Sequence, residues 1–293
     1  MRRTTTRRVL LALLLVLGAA QAAHADFRHS RLGARPRALG SAFTALSDDP
    51  NAVFWNPAGL SRDDRTSLTL CRAWLYSAEG IRDDDLILTS PDMCGLRVGL
   101  GIIRLGIDDI YYEDTYALAA AVRAPWVEGL SLGMTGKVFR LAAPGAEIYG
   151  DPAYNGGDMD YAVDLGFHYD SGRAWTLGGV VQNLNEPYLQ LLETTIDPDP
   201  VYSTIALGGS YLFRETLRVS GDVRSREGGW SDTTLHGGAE IWFFDALALR
   251  AGLAAGQVTM GFGLQDVRWQ LDLALESVEH VGNVYMLSFT VRD

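Results

Sequence analysis

Along most of this chain apolar and polar residues alternate one by one, the pattern of a strand with one greasy and one wet face. From Val267, the residues Val267, Trp269, Leu271, Leu273 and Leu275 share one face, and Arg268, Gln270, Asp272, Ala274 and Glu276 share the other. From Tyr161, the row Tyr161, Val163, Leu165, Phe167 and Tyr169 opposes Ala162, Asp164, Gly166, His168 and Asp170, with aromatic rings at both ends of the apolar row. Weaker versions start at Leu96, Leu130, Ile205, Leu217 and Leu235. Candidate strands begin near residues 66, 83, 95, 115, 130, 159, 174, 202, 217, 233, 247, 257, 267 and 283, which makes about 14, an even number as bacterial barrels have. Most run about 10 to 13 residues, enough for a tilted strand to cross the hydrocarbon layer. A soluble propeller or sandwich would also alternate, but no blade-length repeat is visible and soluble strands are shorter.

The connections support the same architecture. Asp170-Ser171-Gly172, Arg214-Glu215 and Phe244-Asp245 are short turns, whereas 143–158 and 185–201 are long and polar or proline-containing. Short turns at one rim and long loops at the other are the habit of a membrane barrel, with the long loops outside. The expected fold is therefore all-β, a transmembrane antiparallel β-barrel spanning residues 65–293.

Two segments break the alternation. Residues 1–25 have the form of a signal peptide: Arg2, Arg3, Arg7 and Arg8, an apolar core from Val9 to Ala20, and Ala23-His24-Ala25 before a cleavage site after Ala25. The apolar run is short for a spanning helix, and Sec-type export to the bacterial outer membrane is expected. Residues 26–64 read as a compact plug. Asp48-Asp49-Pro50 is suited to start a short helix with an acid as N-cap and proline at the first helical position. The helix must end before Pro57, where Asn56-Pro57-Ala58-Gly59 supplies a turn, the Asn side chain bonding its following backbone and the Gly accepting a positive φ.

Removing the signal peptide leaves 25 − 4 = 21 basic residues against 36 acidic ones, with Lys137 the single lysine. This balance disfavours nucleic acid as a partner. Cys71 and Cys94 are too few for a disulfide framework and wrongly spaced for zinc; a bridge between them in an oxidising compartment is one reading, two free thiols the simpler one. No H-E-x-x-H or complete P-loop occurs, and Gly133 to Lys137 alternates like a strand. His29, His168, His236 and His280 are scattered, so no metal and no cofactor is expected. His168 shares a face with Asp164 and Asp170, which leaves a lumenal acid–base cluster, and hence an outer-membrane hydrolase, as a minor reading beside a non-enzymatic barrel. By alternation the candidate lumen-facing residues are Arg97, Arg123, Lys137, Asp164, His168, Arg218, Asp222, Arg224, Glu240, Arg250, Arg268, Asp272 and Glu276, of mixed sign and able to pair across strands and hold a plug.

The run from Gly33 to Leu60, with Gly33-Ala34-Arg35, Gly40, Asp48-Asp49, and Trp55-Asn56-Pro57-Ala58-Gly59, resembles the N-terminal signature of the PorV/PorQ (UPF0164) outer-membrane family, which is related to the FadL long-chain fatty-acid transporters. Gln182-Asn183-Leu184 resembles a second motif of that family. The resemblance implies a 14-stranded wall and a hatch, built around the Asn-Pro-Ala stretch, that folds into the lumen. It further implies a role in protein export or surface attachment, with secretion subunits or secreted cargo as partners. The related transporters imply the alternative, uptake of long-chain fatty acids or other hydrophobic small molecules that leave sideways beside the hatch.

Overall fold

The computed structural model describes residues 33–76, 80–145, 154, 156–191, 199–226, 232–278 and 282–293. The signal peptide, its cleavage site, residues 26–32 with His29, and His280 lie outside them. Fourteen antiparallel strands close into a barrel. They are β1 (Ser67–Trp74), β2 (Ile81–Thr89), β3 (Leu96–Ile107), β4 (Tyr111–Arg123), β5 (Leu130–Ala142), β6 (Asp158–Asp170), β7 (Trp175–Gln182), β10 (Thr204–Phe213), β11 (Leu217–Arg226), β12 (Thr233–Phe243), β13 (Leu247–Ala254), β14 (Gln257–Asp266), β15 (Trp269–Val278) and β16 (Gly282–Arg292). The short strands β8 (Tyr188–Leu189) and β9 (Asp199–Pro200) form a separate ribbon in the β7–β10 connection. Closure runs through β1 and β16, from Ser67 opposite Arg292 to Trp74 opposite Tyr285.

The expected strand starts match the wall strands in number and, apart from β4, to within about two residues. Strand β4 starts at Tyr111, four residues early, because Tyr111-Tyr112-Glu113 continues the pairing with β3 up to the turn. The turns at Arg214-Glu215 and Phe244-Asp245 place both central residues at positive φ (48° and 62°; 55° and 54°). Three residues separate the paired strand ends, and the turns close through Thr216 N–H on the Phe213 carbonyl and Ala246 N–H on the Phe243 carbonyl, which outweighs the small cost of non-glycine residues there.

Outward faces are apolar almost without interruption. Leu118, Leu207 and Met260, in mid-wall, are 56%, 57% and 51% exposed. Trp74, Tyr116, Tyr161 and Tyr285 ring the wall toward the long loops, and Phe167, Trp175, Tyr211, Phe213, Phe243, Trp269 and Phe289 ring it toward the short turns. An apolar surface of this extent fits lipid and not water, with amphipathic rings at the two interfaces.

Inside, residues 33–62 cross the lumen. Helix α1 (Ala34–Ala38) lies against β13–β16, while helix α2 (Ala52–Trp55) and the 3-10 helix Pro57–Arg62 lie against β3–β6. Nearly every residue from Gly33 to Ser61 is buried. The α2 turn begins two residues later than the sequence indicates. The N-cap is Asn51, without a side-chain cap bond, and Asp49 acts one step earlier, its Oδ1 accepting from the Asn51 backbone N–H at 2.9 Å. Helix α1 has no counterpart in the sequence reading; Pro36 falls in its first turn, where a backbone N–H is dispensable.

Candidate functional site

The lumen has two unlike sides. Where β3–β5 meet the plug their inward residues are mostly small or apolar, Gly99, Gly101, Ile103, Ala117, Ala119, Ala121 and Gly133, with charged residues such as Arg97, Glu113 and Lys137 toward the two ends. Against them pack Val53, Phe54, Trp55 and Leu60, in one buried cluster with Leu39, Phe43, Leu46 and Ile87. At Gly133 an added Cβ would meet the Ala58 nitrogen at 2.3 Å, so the 3-10 helix approaches the wall as closely as its backbone permits. Asn56 ties this end down: its Oδ1 accepts from Ala58 N–H at 3.3 Å, as expected for the turn, and its Nδ2 donates to the carbonyls of Thr44 (2.9 Å) and Phe167 (3.0 Å). Thr135 Oγ1 donates to the Val53 carbonyl, and Gln182 Nε2 to the Phe54 carbonyl.

The opposite side is ionic. Arg35 reaches Glu240 through Nε and Nη2, both at 3.0 Å, and its Nη1 reaches Asp48 at 2.6 Å and Asp49 at 3.0 Å. Glu240 also accepts from Arg250 Nε (2.6 Å), and Arg250 continues to Asp272 (2.7 Å). Arg37 pairs with Glu276, and Arg218 with Asp48 at 3.2 Å. Asp222 Oδ2 accepts from the backbone N–H groups of Phe43 (3.0 Å) and Thr44 (2.9 Å). Burial alone would raise the Asp48 carboxyl, but the guanidinium groups of Arg35, Arg62 and Arg218 outweigh it and hold Asp48 well below the usual carboxylate range. Asp49 moves the other way, raised by burial and by the charge of Asp48. Between the two sides the chain reverses at Gly40 (φ 64°) and Ser41 (φ 63°), a left-handed pair in which Gly40 carries no steric cost.

Most of the candidate lumen residues do face inward on the wall, but two stand elsewhere. Arg268 lies in the β14–β15 turn with Val267, exposed at the rim, because β14 continues to Asp266 and leaves those two residues to make the reversal. Arg123 ends β4 with its side chain 53% exposed, bonding Asp64 and the Ser61 carbonyl where the plug meets the wall. Arg97 is buried on the inner face and donates to the Arg65 carbonyl. Gly59 does not adopt a positive φ; its small size is needed because an added Cβ would lie 2.1 Å from the Ser47 carbonyl oxygen. The acid–base cluster assembles only in part, for Asp170 lines the same cavity as His168 but Asp164 is taken up elsewhere. His168 Nε2 bonds the Ala45 carbonyl at 2.9 Å, while Asp164 is held by Lys137 (2.8 Å) and the Asn183 N–H (2.8 Å). Cys71 is buried, Cys94 exposed, and both are free.

The plug divides the remaining space. A cavity of about 630 Å³ opens toward the long loops, with Phe54, Trp55, Ile103 and Phe139 among its apolar lining and Arg37, Lys137, Arg224, Arg226 and His236 among its polar lining. Arg224 lies over the Trp55 ring at 4.5 Å. A second cavity of about 460 Å³ opens at the other rim beside Arg62, Arg123 and His168. Arg37, Thr259 and Gln182, which the sequence reading left out of the site, all bond the plug or are part of it; inward parity on β14 and the Gln182-Asn183-Leu184 motif were the signals for the last two.

Beside the larger cavity the wall is interrupted. Strand β6 runs from Asp158, but it pairs with β7 only from Leu165 to Asp170, and β7 stops at Gln182. Past that point Asn183 turns to φ 53° and the chain leaves the sheet. The edge of β6 is then met by Leu184 N–H on the Val163 carbonyl (2.9 Å) and by side chains: Asn185 bonds Val163 and Tyr161, and Asp160 accepts from Tyr188 N–H.

No family model matches the sequence, and no curated protein does either. Solved structures do match in fold. The CymD monoaromatic hydrocarbon channel superposes with a TM-score of 0.61 at 14% identity, covering 89% of this chain and 96% of its own. The Pseudomonas putida toluene transporter TodX gives 0.58 at 14% identity, over 89% and 97%. A Pseudomonas aeruginosa FadL homologue gives 0.55 at 13% identity, over 86% and 96%. The chain thus has the fold of FadL-type channels, a closed 14-stranded barrel.

Proposed function

We propose that this protein is a non-enzymatic outer-membrane barrel that takes up hydrophobic or amphipathic small molecules, fatty acids among them, from the long-loop side and releases them sideways through the wall. The interrupted pairing between β6 and β7 carries this reading. The plug blocks a straight path, since residues 33–62 fill the lumen between the two cavities. The stretch of wall past β7, held by side chains and a single backbone bond instead of a strand ladder, adjoins the cavity-lining residues Lys137, Phe139, Gln182 and Asn183. A molecule leaving there enters the membrane without crossing water, which suits an apolar cargo. The likeness to channels named for toluene and monoaromatic hydrocarbons supports the same class of ligand. The test is a staple across the gap: Val163→Cys with Leu184→Cys, oxidised, should abolish uptake of a fluorescent fatty acid into cells while leaving binding to the purified barrel intact. Unchanged uptake by the stapled protein refutes the sideways route, and absence of saturable binding refutes uptake altogether.

A second reading, a component of protein export or surface attachment, rests on the resemblance of Gly33–Leu60 to the PorV/PorQ signature. Affinity capture from the native membrane separates the two: secretion subunits or secreted cargo favour export, and a solitary lipid-loaded barrel favours transport.

A further inference from the structure

The outward face carries one feature that neither the plug nor the cavity accounts for. At the long-loop end of β1–β5, five charged residues stand in strict register on neighbouring strands: Arg72 opposite Asp84, Asp84 opposite Arg104, Arg104 opposite Asp114, and Asp114 opposite Arg140. All five share the outward parity of Leu70, Leu86, Ile102, Tyr116 and Val138. Toward the short turns, the outward residues of these strands carry no charge at all. The row is therefore the upper border of the apolar field.

It is also confined to this side. Among the described residues, the outward faces of β6, β7 and β10–β16 bear a single charge, Asp266, at the opposite end of the wall. A general need for a soluble rim would have spread such residues around the circumference. The balance within the row is positive at its surface. Asp114 is 1% exposed and lies beneath Arg104 and Arg140, whose side chains are 51% and 47% exposed; Arg72 is 45% exposed beside Asp84 at 38%, so three exposed guanidinium groups face one exposed carboxylate. Arg72 and Arg104 grip their carboxylates through Nε and Nη2, which leaves Nη1 of each directed away from the pair. Arg140 adds a contact to Asp114 of only 3.6 Å.

We propose that this ribbon is a docking strip for the phosphate groups of a lipid in the outer leaflet, with the acyl chains lying on the apolar field beneath it. The inference rests on the membrane reading and on the long loops facing outside. Guanidinium forks match phosphate oxygens in shape and charge, and a half-exposed site at the edge of the hydrocarbon layer screens the attraction less than open water does. The paired carboxylates fix the Arg72 and Arg104 guanidinium groups, so little of their side-chain entropy is lost when a phosphate binds.

The experiment uses the full chain in detergent and follows retained lipid by native mass spectrometry, with diphosphorylated lipid A and its fully dephosphorylated form as probes. The phosphorylated lipid should be retained about tenfold better. The double variant Arg72→Gln with Arg140→Gln leaves the buried Asp114 paired with Arg104, so the barrel should fold, shown by heat-modifiable migration. It should lose most of that preference, while Arg173→Gln at the opposite rim should keep it. Equal retention of the two lipids, or an unchanged preference in the double variant, overturns the proposal. A chain that stays soluble without detergent overturns the membrane reading itself, a result distinct from either.

Discussion

The two sides of the lumen hold one segment by opposite means. Along β11–β16 the N-terminal chain is gripped by charge: Arg35 on Glu240, Arg37 on Glu276, and two backbone amides on Asp222. Along β3–β6 it is wedged by shape, with Val53, Phe54, Trp55 and Leu60 set against a wall of glycine, alanine and isoleucine. Shape fills space and excludes water over a broad surface but tolerates small shifts. Buried charge fixes position and fails abruptly when one partner is lost. The ionic side is therefore the sensitive one, and the packed side sets how tightly the lumen is sealed.

The comparison breaks most sharply at Arg35. Arg35→Ala removes the cation from buried Asp49 and leaves Glu240 to Arg250 alone, and should loosen the segment by about 3–5 kcal/mol. Hydrogen exchange at residues 34–49 should rise first, and unchanged protection there would show that charge does not hold this side. On the packed side, Leu46→Ala should cost about 2–5 kcal/mol through the cavity it leaves, with exchange rising around 43–60. Gly133→Val should cost about 1–3 kcal/mol by pushing the 3-10 helix away from β5, and it should raise exchange at Ala58 more than at Ala34.

Acidification should have the smallest effect. Asp48 has a folded pKa below its unfolded value, so its contribution is fully present above the ordinary carboxylate range and is lost only as pH falls through the depressed folded value. Asp49 has a folded pKa above its unfolded value, so taking up a proton as pH falls favours the folded form and relieves repulsion from Asp48. From pH 7 to pH 4 the exchange of residues 34–49 should stay flat, whereas Asp48→Asn should raise it at pH 7.

Alternation was enough to place the wall, because one face of every strand meets lipid and period two has no other use for such residues. It misled at the rims and on one inner side. Val267 and Arg268 continue the alternating pattern in sequence but are consumed by the turn, which periodicity alone does not mark. The middle of the inner face of β3–β5 is small and apolar because it meets a greasy part of the plug and not water. Its glycines and alanines carry little signal in sequence, and only the three-dimensional path of residues 52–60 explains them. The plug motif was legible as a block, yet Glu240, the wall partner of Arg35, stands 205 residues away on β12 and could not be read locally. The gap beside β6 was likewise hidden, since it arises from where β7 stops.

Residues 33–62 close the lumen, and planar-bilayer conductance reads that closure. The full chain should insert without a steady ion current, and a variant lacking residues 33–62, shown to be folded by heat-modifiable migration, should conduct continuously. Steady conductance of the full chain equal to that of the shortened one would contradict the account.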